Sequence, residues 1–256
     1  MRSIRILARA AAFLILAMLS AKPLASGNDA VPNNKIEAGS AEEKAAGLTW
    51  AFTPDPRLPN ALILGDSISF GYTLKVRKLL ANVANVYRPL DHGDKTPTNC
   101  ADTGKGIKYL PQWLGEKHWD VIHFNFGLHD LKYLDETGKY VTPDKGKQVT
   151  LPEAYETNLR QLVGEMKKTG ASLVWCSTTP VPEGASGRVK GDEVAYNAIA
   201  EKVMKENGVA IDDLYSLMAP RCPELQNTRD VHFTGEGSDV QAAAVADIIK
   251  KHLKTQ

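Results

Sequence analysis

The stretch ALILGDSISFGY, Ala61 to Tyr72, decides how this chain is read. Four apolar residues run directly into Gly65-Asp66-Ser67, and an amphipathic segment begins at once. An unbroken apolar run reads as a strand covered on both faces. A tight turn made by Gly65 would set Ser67 at the strand's carboxyl end, near the N-terminus of the next helix. Ser67 is then either a helix-capping serine or a nucleophile displayed where free N–H groups and a positive dipole end await a developing oxyanion. The stretch alone does not separate the two.

Outward from it, short apolar runs alternate with helical patterns. ALILG at 61–65, VANVY at 83–87, DVIHFNFG at 120–127, ASLVWCST at 171–178 and VAID at 209–212 read as strands. LKVRKLLA, GIKYLPQWLGE, LPEAYETNLRQLVGEMKKTG, DEVAYNAIAEKVMKENG and GEGSDVQAAAVADIIKKHLK read as helices. Gly170 and Gly208 supply C-terminal stops, and Asp192 an acidic N-cap. Alternating β and α elements predict a parallel sheet with helices on both faces. In such sheets the ligand crevice lies at the carboxyl ends of the strands. The polar segment 132–150 is long for a connection and, on that edge, suits a lid or specificity loop.

The chain has 256 residues and a formal net charge of +1, with no internal repeat. That suits one globular domain and gives no electrostatic footprint for nucleic acid or an anionic membrane. Residues 1–25, with Arg2, Arg5 and Arg9 before the run AAAFLILAML, are expected to be a signal peptide. Residues 26–59 are expected to form a linker or loose arm, and 60–256 the folded domain, exported to the periplasm or medium and free of the membrane once the leader is cut. The three cysteines, Cys100, Cys176 and Cys222, leave at least one unpaired or bonded between molecules. Their pairing and the oligomeric state stay open.

GDSIS after the first strand, GLHD after the third and DVHFT before the last helix occur in that order. Together they resemble the SGNH (GDSL-type) hydrolase superfamily, over about Leu62 to the C-terminal helix. The resemblance implies a three-layer α/β/α sandwich, flavodoxin-like, around a five-stranded parallel sheet. It also implies ester hydrolysis by a serine nucleophile, with no metal or other cofactor. The neighbourhood WDVIHFNFGLHDL with a late RDVHFT looks closest to exported bacterial members.

Ser67 matches the family nucleophile and His232 the base that takes and returns its proton. The family usually places the acid three residues before the histidine, where this chain has Arg229. A guanidinium has donors only. Asp230, two residues before, could reach the imidazole if the segment is extended; the alternative is a Ser-His dyad oriented by a main-chain carbonyl. In the third block His129 stands where the family has an oxyanion-hole asparagine. A neutral imidazole can replace that amide only if its other nitrogen finds a donor or solvent. CADTGKGI puts Ala101 at the family's glycine N–H, with Gly104 competing, so the expected oxyanion hole is Ser67, Ala101 and His129. Asn99 and Asp130 are candidate substrate contacts, Asp66 a turn-holding side chain and His123 a core imidazole. Trp113, Trp119 and Trp175 fall at core-like positions.

The reading is a serine esterase acting on short-chain acyl esters of a small molecule or carbohydrate, the carbohydrate resting on export and family habit. A non-catalytic SGNH-fold binding protein is the competing class. A metal hydrolase built on His129, Asp130, Asp230 and His232 has no ligand spacing to support it.

Overall fold

The computed structural model describes residues 49–91, 93 and 96–253. The expected signal peptide, residues 1–25, lies outside them. So does the beginning of the expected arm.

Five parallel strands form the main sheet: β1 (Asn60–Leu64), β2 (Asn85–Tyr87), β5 (Val121–Phe124), β8 (Ser172–Cys176) and β9 (Ala210–Asp212). Their spatial order is β2-β1-β5-β8-β9, so the apolar runs β1, β5 and β8 occupy the middle. In register, Ile63 pairs with His123 and His123 with Val174. All of β5 is buried, and so is β1 except Asn60, which is why neither alternates polar and apolar residues.

The long helices are α1 (Ser67–Leu79), α2 (Thr103–Leu114), α3 (Pro152–Lys167), α4 (Asp192–Asn207) and α7 (Gly235–His252). Helix α1 packs on α7, while α3 packs on α2 and α4, giving the two outer layers of an α/β/α sandwich. The fold class read from the sequence therefore holds. Helices α3 and α4 stop near Gly170 and Gly208, both left-handed, at φ 75° and 64°. The N-cap of α4 is Gly191 (φ 100°) rather than Asp192, which opens the first turn instead. Two short helices, α5 (Leu214–Met218) and α6 (Cys222–Leu225), were not anticipated; each is too short for a periodic pattern.

Two small hairpins complete the described residues: β3 (Leu90–Asp91) with β4 (Thr96–Pro97), and β6 (Tyr133–Leu134) with β7 (Lys147–Gln148). The second lies within the segment expected to act as a lid. It is tied to the body where Tyr133 N donates to Gly187 O and Thr150 N to Asp130 O.

Residues 49–59, expected to belong to a loose arm, are packed against α1 and β2. Trp50 is buried edge-on to Phe70, and Phe52 lies 4.9 Å from Tyr87, ring centre to ring centre. Arg77 of α1 donates to the carbonyls of Thr49 and Trp50 and stands 4.1 Å from the Phe52 ring centre. The three cysteines are free thiols, with Cys100 and Cys176 buried. Trp119 and Trp175 are core residues, and Trp113 packs half-buried against the same cluster.

Candidate active site

Ser67 is the first residue of α1, and the residue capping that helix is Asp66, whose Oδ1 accepts from Ile68 N at 2.9 Å. The hydroxyl of Ser67 is left for another partner, His232 Nε2, at 2.7 Å. Gly65 allows the strand to turn closely over α1: a Cβ there would meet Ser69 Oγ at 3.0 Å. Its carbonyl accepts from Cys100 N and, more distantly, from the Arg88 guanidinium.

Arg88 was not singled out in the sequence. It is buried beneath the turn, donating to Ser69 Oγ, Thr73 Oγ1 and Thr98 O, and lies over the Phe70 ring. Burial pulls its pKa down to about 10, still far above neutral pH. Arg88→Met removes the donors and strands several buried acceptors. The expected cost is about 3 kcal/mol, read as a fall in Tm of roughly 6–12 °C. A melting curve unchanged from the native protein would contradict this role.

His232 precedes α7 in a tight loop. Asn227 N donates to His232 O, and Asp230 N to Asn227 O. The expected extended 230–232 segment is instead a bend. Its entry is Arg229 in the left-handed region, φ 60°, with its side chain over Gly184. The bend folds Asp230 back, so that Asp230 Oδ1 stands 2.7 Å from His232 Nδ1 and also accepts from His232 N at 3.2 Å. An oxygen accepting from the backbone is an acceptor for the ring as well. Nδ1 therefore carries the proton, and Nε2 is left to accept from Ser67.

His129 follows β5 and is buried. Its Nδ1 stands 3.2 Å from the Lys132 ammonium, itself buried. An ammonium has no lone pair, so Nδ1 must accept, and the neutral ring carries its proton on Nε2. The condition that sequence set for an imidazole in the asparagine position is thereby met. Burial above all, then the charges of Lys132, Arg188, Lys105 and His232, holds the His129 pKa well below 6.5.

Ala101 occupies a left-handed conformation, φ 55°, where a glycine would be unstrained. Its N–H donates to Asn99 Oδ1 at 2.9 Å, so Asn99 is engaged in its own loop. The competitor Gly104 lies in the first turn of α2 without a left-handed φ.

Asp130, expected as a substrate contact, is fully buried and is corrected to a loop-holding residue. Its Oδ1 accepts from Thr103 N at 2.9 Å and Thr103 Oγ1 at 2.6 Å, fixing the start of α2 against the turn after β5. Burial pushes its pKa up to about 7, with the Thr103 donors opposing. Gly127 has no room for a side chain, since a Cβ would fall 2.0 Å from Thr178 Oγ1.

Asp130 and His129 make opposite contributions to stability against pH. The unfolded Asp130 releases its proton near 3.8 and the folded one near 7, so stability is lost as pH rises through that window. The slope is about 1.4 kcal/mol per unit. The unfolded His129 takes up a proton below 6.5 while the folded one does not, so stability is lost as pH falls below 6.5. The two offset each other where they overlap. His129→Asn is expected to melt higher at about pH 5 than at about pH 7.5, and Asp130→Asn the reverse, with the native protein flatter than either. Calorimetry at the two pH values checks the signs.

His123 is the core imidazole expected, with Nε2 2.9 Å from Asp212 Oδ2 and Nδ1 without a hydrogen-bond partner among the described residues. With Cys176 these two place ligand-type atoms within 4.8 Å of one another. Their 2.9 Å separation is that of a hydrogen bond, shorter than the ~3.3 Å ligand edge of tetrahedral zinc. As they stand, they hold each other. In the set His129, Asp130, Asp230 and His232, the lone pair of His129 Nδ1 already faces the Lys132 ammonium.

A serine, an imidazole and a carboxylate in series, at the carboxyl edge of a parallel sheet, define the serine hydrolase class of site. Residues 63–240 match the GDSL-like Lipase/Acylhydrolase family, and the chain belongs to it. It is an ester hydrolase of the serine type. An arylesterase of Vibrio mimicus is 26% identical over 201 residues, covering 75% of this chain and 88% of that protein. Among solved structures, a lipase/acylhydrolase from Enterococcus faecalis superimposes with a TM-score of 0.60 at 18% identity, covering 77% of this chain and 98% of that one. An acetylxylan esterase from Geobacillus stearothermophilus does so with a TM-score of 0.58 at 15% identity, covering 77% and 95%.

Proposed function

We propose that the chain hydrolyses short-chain acyl esters through Ser67, His232 and Asp230, with His129 donating to the oxyanion. The observation that carries this reading is the continuous relay Asp230 Oδ1–His232 Nδ1, His232 Nε2–Ser67 Oγ, each link 2.7 Å. As Ser67 Oγ attacks the ester carbonyl, its proton passes to His232 Nε2. The carbonyl π pair moves onto oxygen, where the N–H of His129 Nε2 receives the charge. Collapse of the adduct expels the alkoxide, which takes the proton from His232, leaving an acyl-Ser67. Water then repeats the sequence: it gives a proton to His232, attacks the acyl carbon and releases the carboxylic acid as the proton returns to Ser67.

Ala101 N–H enters this scheme only if Asn99 yields it, so His129 and the N-terminus of α1 carry the oxyanion. The acetylxylan esterase neighbours and the leader-like residues 1–25 support an exported enzyme acting on carbohydrate O-acetyl groups. The test is a serine-directed phosphonate probe followed by mass spectrometry. Labelling of Ser67 is expected. A folded protein whose Ser67 stays unlabelled while it turns over p-nitrophenyl acetate would overturn the assignment. Absence of both labelling and turnover would favour the non-catalytic binding protein.

A further inference from the structure

Lys132 is a buried cation whose ammonium faces the imidazole of His129 from three residues along the chain. Burying an ammonium costs free energy unless the surroundings compensate. Part of that compensation is supplied by the hairpin segment. Tyr140, between β6 and β7, sets its ring 5.3 Å from Lys132 Nζ, and Arg188 reaches the same ring at 5.6 Å. The ring is seated on Gly187, where even a Cβ would fall 2.5 Å from Tyr140 Cδ1. Arg188 also donates from Nε to Leu128 O at 2.8 Å, gripping the backbone next to His129. Lys132, Tyr140 and the Gly187–Arg188 turn thus converge behind one imidazole.

We propose that Lys132 is a positioning residue for the oxyanion donor. It fixes His129 in the Nε2–H tautomer and polarises that N–H, and Tyr140 holds the ammonium in place. The inference rests on the reading in which His129 serves the oxyanion. Its physical content is that an asparagine amide donates without help, whereas an imidazole needs its second nitrogen occupied by a donor. A cation on Nδ1 does this and strengthens the opposite N–H as negative charge develops, as charge-assisted hydrogen bonds do. No proton leaves the ring at any step; Lys132 and His129 both end the cycle as they began.

The charged and titratable groups acting on His129 are Lys132 from its own loop, Arg188 from the loop after β8, Lys105 from α2 and the His232 imidazole from the loop before α7. With the ring neutral in this surrounding, its tautomer can be read directly by imidazole 15N NMR on the full chain. The expected spectrum of the native protein has His129 protonated on Nε2 alone, unchanged as pH falls through about 6.5, where a free imidazole titrates. A proton on Nδ1 would overturn the proposal without any variant being made.

The kinetic arm is a double-mutant cycle on an aryl acetate. Lys132→Met is expected to lower kcat about 10- to 100-fold with little change in KM, and Lys132→Arg to restore most of it. In the His129→Asn background the same Lys132→Met change should cost no more than about threefold, because an amide has no tautomer to hold. An equal loss in both backgrounds would mean that Lys132 acts only on the fold. Turnover that persists in Ser67→Ala would defeat the underlying site reading instead, and the NMR result would then judge the tautomer lock alone.

Discussion

Ser67→Ala is expected to lower kcat for p-nitrophenyl acetate by about 10³-fold or more while leaving the melting temperature nearly unchanged. Ser67 is half-exposed, opens α1 without capping it, and has His232 as its hydroxyl partner. Removing one oxygen there strands no buried acceptor, since His232 Nε2, on a part-exposed ring, can accept from water instead. Activity and stability should therefore separate. The variant should also lose all phosphonate labelling. A variant that still labels or turns over at more than a few per cent would place the nucleophile elsewhere.

Asp230→Ala carries the second large effect, an expected fall in kcat of about 10³-fold with KM little altered. The carboxylate holds the proton of His232 on Nδ1, and without it the ring can carry its proton on Nε2, where it cannot accept from Ser67. The same oxygen braces the backbone of the bend, so part of the loss comes from a ring less well aimed. The competing arrangement, a dyad oriented by a main-chain carbonyl, expects near-native kcat. Arg229→Gly serves as a control. Its φ of 60° suits glycine at least as well, so the triad should keep its geometry and its rate.

The sheet and its long helices were legible because they carry their own periodicity. ALIL and LVWC are apolar without interruption and VIHF is broken only by His123, a pattern that suits central parallel strands, and the helices between them stop near Gly170 and Gly208. Ser67 and His232 stand out in the sequence because each sits just after a strand or just before a helix, and the structure brings the two side chains within 2.7 Å. The support for the site was not legible. Arg88, Lys132 and Arg188 act across long sequence separations or in loops, and a lone basic residue in a loop has no pattern to distinguish it. Asp130 misled because its place beside His129 suggested the cleft, whereas the turn at Gly127 directs its carboxyl inward to Thr103. For Asp230 the proximity was foreseen but not its cause. An extended segment would also bring the two side chains near each other, but a single left-handed residue, Arg229, makes a bend instead.

The packing of residues 49–59 bears on how this enzyme can be trimmed. The punctuation of the sequence invites a cut just before Asn60, since the first strand begins there. Such a cut would remove Trp50, whose ring packs edge-on to Phe70 and lies 5.6 Å from the Arg88 guanidinium. It would open to solvent the cation that ties the end of β2 to the turn at Gly65. Shortened recombinant versions, and any natural processing that leaves a working enzyme, should therefore retain the chain from Thr49 onward. Proteolytic clipping inside that strip offers a way to impair the enzyme without touching Ser67, His232 or Asp230.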